Sequence, residues 1–411
     1  MSKRRAVVTG LGIVACNGVG VDAFWQANID GRSGISRIDS FDSDGLASRI
    51  GGQVRGFAPG EHMPEETAQR VDRVVQFALA CSGMALKESR LDLAAEDLDR
   101  IGVIVGSGVG GLIFYEEQII AAVERGAHRI NPAAVPRITP NAAASQIAIR
   151  HGLRGPNFVI SSACASGAHA IGEALRKIQY GEVEICFAGG VEAPLTRFNL
   201  AAYCAMRVLS KNNDNPAAAS RPFDRARDGF VLGEGGAIMV LEEREHALRR
   251  GAPISAELIG YAANSGAHHM VMPTPGGADA ARVMRAALKD AKVGRVDYIN
   301  AHATSTKAND VAETEAIKAV FGPEAWKIPI SSTKSMIGHS LGAAGAIEGV
   351  VCVRAIQAGI IPPTINLEYP DPECDLDYVP GRARGAALQT VMSNSFGFGN
   401  CNAALIFSKA L

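Results

Sequence analysis

Cys164, His302, Lys334 and His339 are the side chains in this sequence whose types and settings suit nucleophilic catalysis. Cys164 stands in FVISSACASGAHAIGEALR (158–176). There an apolar strand, Phe158-Val159-Ile160, gives way to a turn of small residues and then to a helix whose first turn begins near the cysteine. Ser161, Ser162 and Ala163 offer little bulk to shield the sulfur. A thiol at a helix N-terminus feels the positive end of the dipole and nearby unpaired N–H groups, which favour thiolate and can hold a developing oxyanion. A small core cysteine on a tightly packed helix has the same surroundings, so the segment alone does not decide.

A nucleophilic cysteine needs a base or a cation brought near it by the fold. Two of the nine histidines stand out. His302 follows the apolar strand 298–300 and precedes Thr304-Ser305-Thr306, and His339 lies in Lys334-Ser335-Met336-Ile337-Gly338-His339, where Gly338 and Ser340 leave an imidazole room. His246 reads as a solvated residue on a charged helix, and His128, His151 and His169 have no chemical context. Lys334 begins a small-residue helical segment and is costly to bury unpaired. Glu348, in the helix that follows, is the nearest acidic residue along the chain and a candidate ion-pair partner that keeps the lysine charged.

The elements that must position these groups are those of an α/β protein. Short β-branched strands such as 101–105 and 185–188 alternate with periodic helices such as 66–87, 113–125 and 278–292. Gly10-Leu11-Gly12 after the first strand reads as a tight turn, since the third glycine of a dinucleotide fingerprint is missing. GSGVGG (106–111) lacks the Lys-Ser/Thr of a phosphate loop and reads as close backbone approach. The polar stretch 194–229 reads as an irregular lid or interface arm. Ile160-Ser161-Ser162-Ala163-Cys164 repeats as Ile330-Ser331-Ser332-Thr333-Lys334, and strand 101–105 has a counterpart in 298–300. Two similar halves, 1–251 with the cysteine and 252–411 with the two histidines, bring these strand ends together.

Length and composition fit this. The 411 residues suffice for two fused α/β halves, and 47% are hydrophobic and 20% charged. A net charge of −1 gives no global field for nucleic acid or an anionic membrane. The eight cysteines are dispersed, with no zinc-like spacing, which matches reduced, cytoplasmic usage. No signal peptide or membrane span is expected.

SSACASGAHAIGEAL, SRPFDRARDGFVLGEG, NAHATSTKANDVAE, SSTKSMIGHSLGAAGAIE, PPTINLEYPDPECDLDYVP and NSFGFGN, in this order over essentially the whole chain, resemble the β-ketoacyl-acyl carrier protein synthases of the elongating type. The resemblance implies a thiolase-like fold, two similar halves in a five-layered αβαβα sandwich, and a dimer. It implies that Cys164 accepts an acyl chain from carrier-protein phosphopantetheine, and that His302 and His339 promote malonyl decarboxylation. Lys334, paired with Glu348, would hold the histidine region electrostatically. Backbone N–H groups of Cys164 and Phe398 would form the oxyanion hole, with Phe398 as a gate. Thr304 and Thr306 would bond the pantetheine arm, and Val109, Asn199, Tyr203 and Phe396 would contact substrate. Arg70, Arg73 and Arg207 are candidates for docking the acidic carrier. No metal or redox cofactor is implied.

The sequence departs from the family pattern at Ala303 and Lys307 in HATSTK, at Asn400 and Cys401 in GFGNCN, and at Arg197-Phe198-Asn199 along the acyl pocket. Bulk and polarity at 197–199 lead us to expect a specialised acyl chain: shorter, unsaturated or polyketide-like. Three alternatives differ in their signatures. A catalytic subunit of a heterodimer with a chain-length-determining partner keeps Cys164. A cysteine hydrolase needs one histidine with an orienting Asn or Asp. A thiolase needs a second cysteine near the C-terminus, where Cys401 sits in a GFGN context that fits the condensing enzymes better.

Overall fold

The computed structural model describes residues 3–410. In chain order its main strands are β1 (Ala6–Ala15), β2 (Ile101–Gly106), β3 (Asn157–Ile160), β4 (Ile185–Glu192) and β5 (Gly235–Glu243). The second set is β6 (Ala256–Ser265), β7 (Tyr298–Asn300), β8 (Ile330–Ser331), β9 (Thr390–Gly397) and β10 (Cys401–Ser408). They form one hydrogen-bonded path of ten strands, and the short strand Gly18–Val19, folded back on β1 beside the path, makes an eleven-stranded sheet.

That path contains the same pattern twice. The first set runs β3-β2-β4-β5-β1 and the second β8-β7-β9-β10-β6, so each places its third strand at the edge and its first at the centre. In both sets the three outer strands are parallel and the remaining pairs antiparallel. Among the described residues the two sets hydrogen-bond to each other through β1 and β6, where Ala6–Val8 face Ala256–Leu258. Ile160 and Ile330 are therefore equivalent strand residues, and the Ile-Ser-Ser repeat marks the same place in each set.

The principal helices are α1 (Arg73–Ser89), α2 (Leu112–Arg125), α3 (Ala142–His151), α4 (Ser166–Gln179), α5 (Arg197–Ala205), α6 (Ala278–Ala291), α7 (Lys307–Phe321) and α8 (Ala344–Ala358). One apolar cluster joins α1 and α3 to the outer face of the first set of strands, and another joins α6 and α7 to the outer face of the second. Between the sets, α4 and α8 bury Ile171, Leu175, Ile347 and Val350 against strands of both. The result is five layers, αβαβα. Strands covered on both faces read as continuous apolar runs, as β4 and β5 do.

Small residues make the middle layer possible. A Cβ on Gly345 would lie 2.8 Å from the Cβ of Ala168, and one on Gly167 would lie 2.9 Å from the carbonyl oxygen of Gly342. The runs ASGAHA and GAAGA thus serve a close approach of two helices. The stretch Leu341–Ala358 is long and apolar enough to cross a membrane, and 83% of it is buried in this core.

Two expectations from sequence change. Gly10 and Gly12 lie within β1 rather than in a turn, and carbonyl oxygens of Ala85 and Cys81 on α1 occupy the space of their missing side chains. The 194–229 stretch is not wholly irregular, because α5 forms behind Thr196, whose side chain accepts the Asn199 N–H.

Candidate active site

Cys164 follows β3 in a tight elbow. Ala163 takes a left-handed backbone (φ 51), and Ser166 ties the turn by accepting the Ser162 N–H at 2.9 Å and donating to the Ala163 carbonyl at 2.6 Å. The helix starts at Ser166, with Ala165 as its N-cap, so the cysteine sits just ahead of it rather than in its first turn. The sulfur lies in an apolar cluster with Leu195, Leu209, Phe230 and Leu341. Burial pushes the thiol up to about 12, although the Lys334 ammonium and the Phe398 N–H act the other way. Desolvation thus opposes the thiolate that a helix N-terminus favours.

His302 and His339 face each other near this sulfur. Their rings meet edge to face with centroids 5.4 Å apart, and Phe230 packs edge-on against His339 at 5.4 Å. Burial, reinforced by Lys334, holds both imidazoles well below their usual pKa, so both are neutral at neutral pH. The backbone carries the first histidine: the N–H groups of His302 and Ala303 donate to Glu313 on α7 at 3.0 and 2.8 Å. The second is held by its own N–H, which donates to the Val231 carbonyl at 2.7 Å.

Lys334 opens a one-turn helix, Lys334–Ile337, and pairs with Glu348 of α8, both side chains being almost fully buried. Burial raises Glu348 to about 7 while Lys334 opposes that rise. The pair lies behind the histidines.

Cys164, His302, His339, Phe396 and Phe398 line a single cavity of about 630 Å³, and Tyr203, Arg207, Thr304 and Thr306 share its lining. Thr304 and Thr306 are 3.1 Å apart through their hydroxyls. Several expected residues lie elsewhere. The Val109 N–H is bound to Glu192, and the Asn199 amide donates to the Pro194 carbonyl at 2.8 Å. Arg73 is tied to Glu234 at 2.8 Å beside a second cavity, and Arg70 makes an exposed pair with Glu66. Arg197 reaches the Asp42 carbonyl, and Phe198 is 68% exposed. None of residues 197–199 lines the main cavity, and Arg197 borders the second one.

Other buried residues take roles that little in the sequence signalled. Glu192, at the end of β4, accepts from the N–H groups of Gly108, Val109 and Gly342 and from the Ser107 hydroxyl. His169 joins the Ser162 hydroxyl (2.6 Å) to the Asn402 carbonyl (3.3 Å), linking the cysteine elbow to the Phe398 segment. His246 is no solvated surface residue: it sits between Glu242 and Glu96. Arg227 is wholly buried, pairs with Asp371 at 2.6 Å, and donates to the carbonyls of Thr306 and Lys307. An ionic residue inside SRPFDRARDGF was the one hint of that anchor.

The beta-ketoacyl synthase N-terminal domain profile matches residues 3–247, and the C-terminal domain profile matches 255–368. The chain belongs to the beta-ketoacyl synthase family. Its five layers are the thiolase-like fold expected of such a synthase. The synthase is 46% identical to the 3-oxoacyl-[acyl-carrier-protein] synthase 2 of Synechocystis sp., over 100% of this chain and 99% of that one. It is also 42% identical to a polyketide beta-ketoacyl synthase 1 of Streptomyces halstedii, over 98% of each. The solved ishigamide ketosynthase/chain length factor superposes with a TM-score of 0.93 at 35% identity, covering 100% of both chains.

Proposed function

We propose that this synthase elongates acyl chains carried on acyl carrier protein. The Cys164 sulfur attacks the thioester of an acyl group on carrier phosphopantetheine, giving an acyl-cysteine thioester and releasing the carrier thiol. A malonyl group on a second carrier then loses CO₂. The carbanion left behind attacks the acyl-cysteine carbonyl, the C–S bond breaks, the thiol is restored with a proton, and a β-ketoacyl carrier two carbons longer departs. The observation that carries this reading is the convergence of the Cys164 elbow and the two neutral histidines on one cavity, with the Lys334–Glu348 pair behind them.

Because decarboxylation itself generates the carbanion, no base has to remove a C–H proton, and the chemistry calls on hydrogen-bond donors. Neutral imidazoles of His302 and His339 supply them to the enolate oxygen. The N–H groups of Cys164 and Phe398 supply them to the thioester oxygen, with the Phe398 ring as gate. Thr304 and Thr306 bind the pantetheine arm, and Arg70 and Arg207 receive the acidic carrier. The halves 1–251 and 252–411 act as one unit in the cytoplasm. Intact-protein mass spectrometry with a panel of acyl carrier thioesters tests the proposal: acyl mass must appear on the native protein and vanish in Cys164→Ala.

A second reading has this chain as the catalytic partner in a dimer with another ketosynthase-like subunit, either a copy of itself or a chain-length-determining one. It is favoured by an apolar row on α2, where Tyr115, Ile119, Ile120 and Val123 are 47–81% exposed, beside the exposed Phe198 of α5. Native mass spectrometry of the protein alone separates self-pairing from a need for a partner.

A further inference from the structure

Residues Phe398–Asn400 close the β9–β10 hairpin, and Asn400 takes the left-handed conformation (φ 56) although it bears a side chain. Asparagine tolerates that region because its short amide can bond near its own backbone. Here the amide bonds across to another segment. Its Oδ1 accepts the N–H groups of His268 and His269 at 3.0 and 2.9 Å, and its Nδ2 donates to the Met272 carbonyl at 3.0 Å. The backbone adds two links: the Gly399 N–H donates to the Met270 carbonyl at 2.7 Å, and the Gly266 N–H donates to the Asn400 carbonyl at 2.9 Å. Asn400 is only 5% exposed.

The segment so held, 266–273, has no regular structure, and its Met270 is 78% exposed, so burial does little to anchor it. Val271 and Met272 of this segment nevertheless line the cavity, as Phe398 does. We propose that Asn400 is a positioning residue that binds the Phe398 turn and the strap 266–273 into one moving body. The inference rests on the reading of Phe398 as gate and oxyanion donor. With glycine at 400 the same backbone angle is available and only the two backbone links remain, so the turn is coupled to the strap less tightly. With asparagine the turn opens only if the strap travels with it or the amide bonds break. The clamp therefore favours the arrangement in which the Phe398 N–H faces the sulfur, and it slows the opening that loads an acyl chain.

The test uses the full-length protein with Asn400→Gly, which keeps the backbone angle and removes the amide, and Asn400→Asp, which keeps the acceptor and loses the Nδ2 donor. Hydrogen exchange by mass spectrometry follows 266–273 and 396–402, while rapid-quench assays follow Cys164 acylation and decarboxylative condensation separately. In Asn400→Gly, exchange in both segments rises together by about tenfold or more, since each lost hydrogen bond contributes on the order of a factor of ten. Acylation becomes faster and condensation slower, with Asn400→Asp between the native protein and Asn400→Gly. Simple loss of fold slows both steps, so opposite signs identify the clamp. Unchanged exchange in 266–273, or both rates falling together, overturns it. If the native protein is not acylated at all, the condensing-enzyme reading fails, and exchange alone still decides on the clamp.

Discussion

His302 and His339 stand ring edge to ring face, 5.4 Å between centroids and 88° between planes, with neither Nδ1 bonded within the protein. Burial and the Lys334 charge keep both neutral, which makes them donors to an oxygen rather than cations. His339→Ala is expected to slow malonyl decarboxylation by about 10²–10³-fold, the usual consequence of losing one oxyanion donor. The acyl-Cys164 thioester still forms and is seen by intact mass. Equal loss of both steps contradicts the assignment.

Removing one member of a buried ion pair leaves the other uncompensated. Glu348→Ala is expected to lower unfolding free energy by about 3–5 kcal/mol in urea titrations. The double change Lys334→Met with Glu348→Met restores much of that stability but not decarboxylation. A double variant that decarboxylates at the native rate shows the pair to be structural only.

Close helix crossing makes a steric prediction with an internal control. Gly345→Ala adds a Cβ 2.8 Å from Ala168 and is expected to destabilise by about 1–3 kcal/mol in thermal unfolding. Gly83→Ala, in the interior of α1 with open space around its missing Cβ, is expected to stabilise by about 0.5–1 kcal/mol. Equal effects at the two positions contradict the packing described.

The thiol's environment sets a pH dependence. With the Cys164 pKa pushed up to about 12, the thiolate fraction rises about tenfold per pH unit through the neutral range. Iodoacetamide labelling of the resting protein should therefore keep climbing to pH 10, and Lys334→Met should slow it, because removing the ammonium raises the thiol further. A labelling plateau between pH 7 and 8 would mean a thiolate at rest.

Much of this site was legible because its chemistry and its motifs are local. Cys164, His302 and Lys334 each follow a strand end, His339 comes one helical turn after Lys334, and the Ile-Ser-Ser repeat pointed to equivalent positions that the strand order bears out. What sequence missed depends on contacts between distant segments. Glu192 acquires its role only when Gly342 arrives 3.0 Å away. Arg73 looked like a free surface cation until Glu234 met it, and Gly10-Leu11-Gly12 looked like a turn because nothing in its own neighbourhood announces α1. The desolvation of Cys164 was hidden for a related reason, since a helix N-terminus is visible in sequence and a cluster of Leu195, Leu209 and Phe230 is not.

The central place of β1 has a consequence for synthesis on the ribosome. It leaves the exit tunnel before the other strands, yet its principal partner β5 lies at Gly235–Glu243 and its other neighbour β6 begins at Ala256. At about 5–20 residues per second, the strand waits on the order of 10–40 s with only its Val14–Ala15 end paired, to Gly18–Val19. Its buried run is then open to misassembly, and slow translation through residues 100–230 would prolong that exposure.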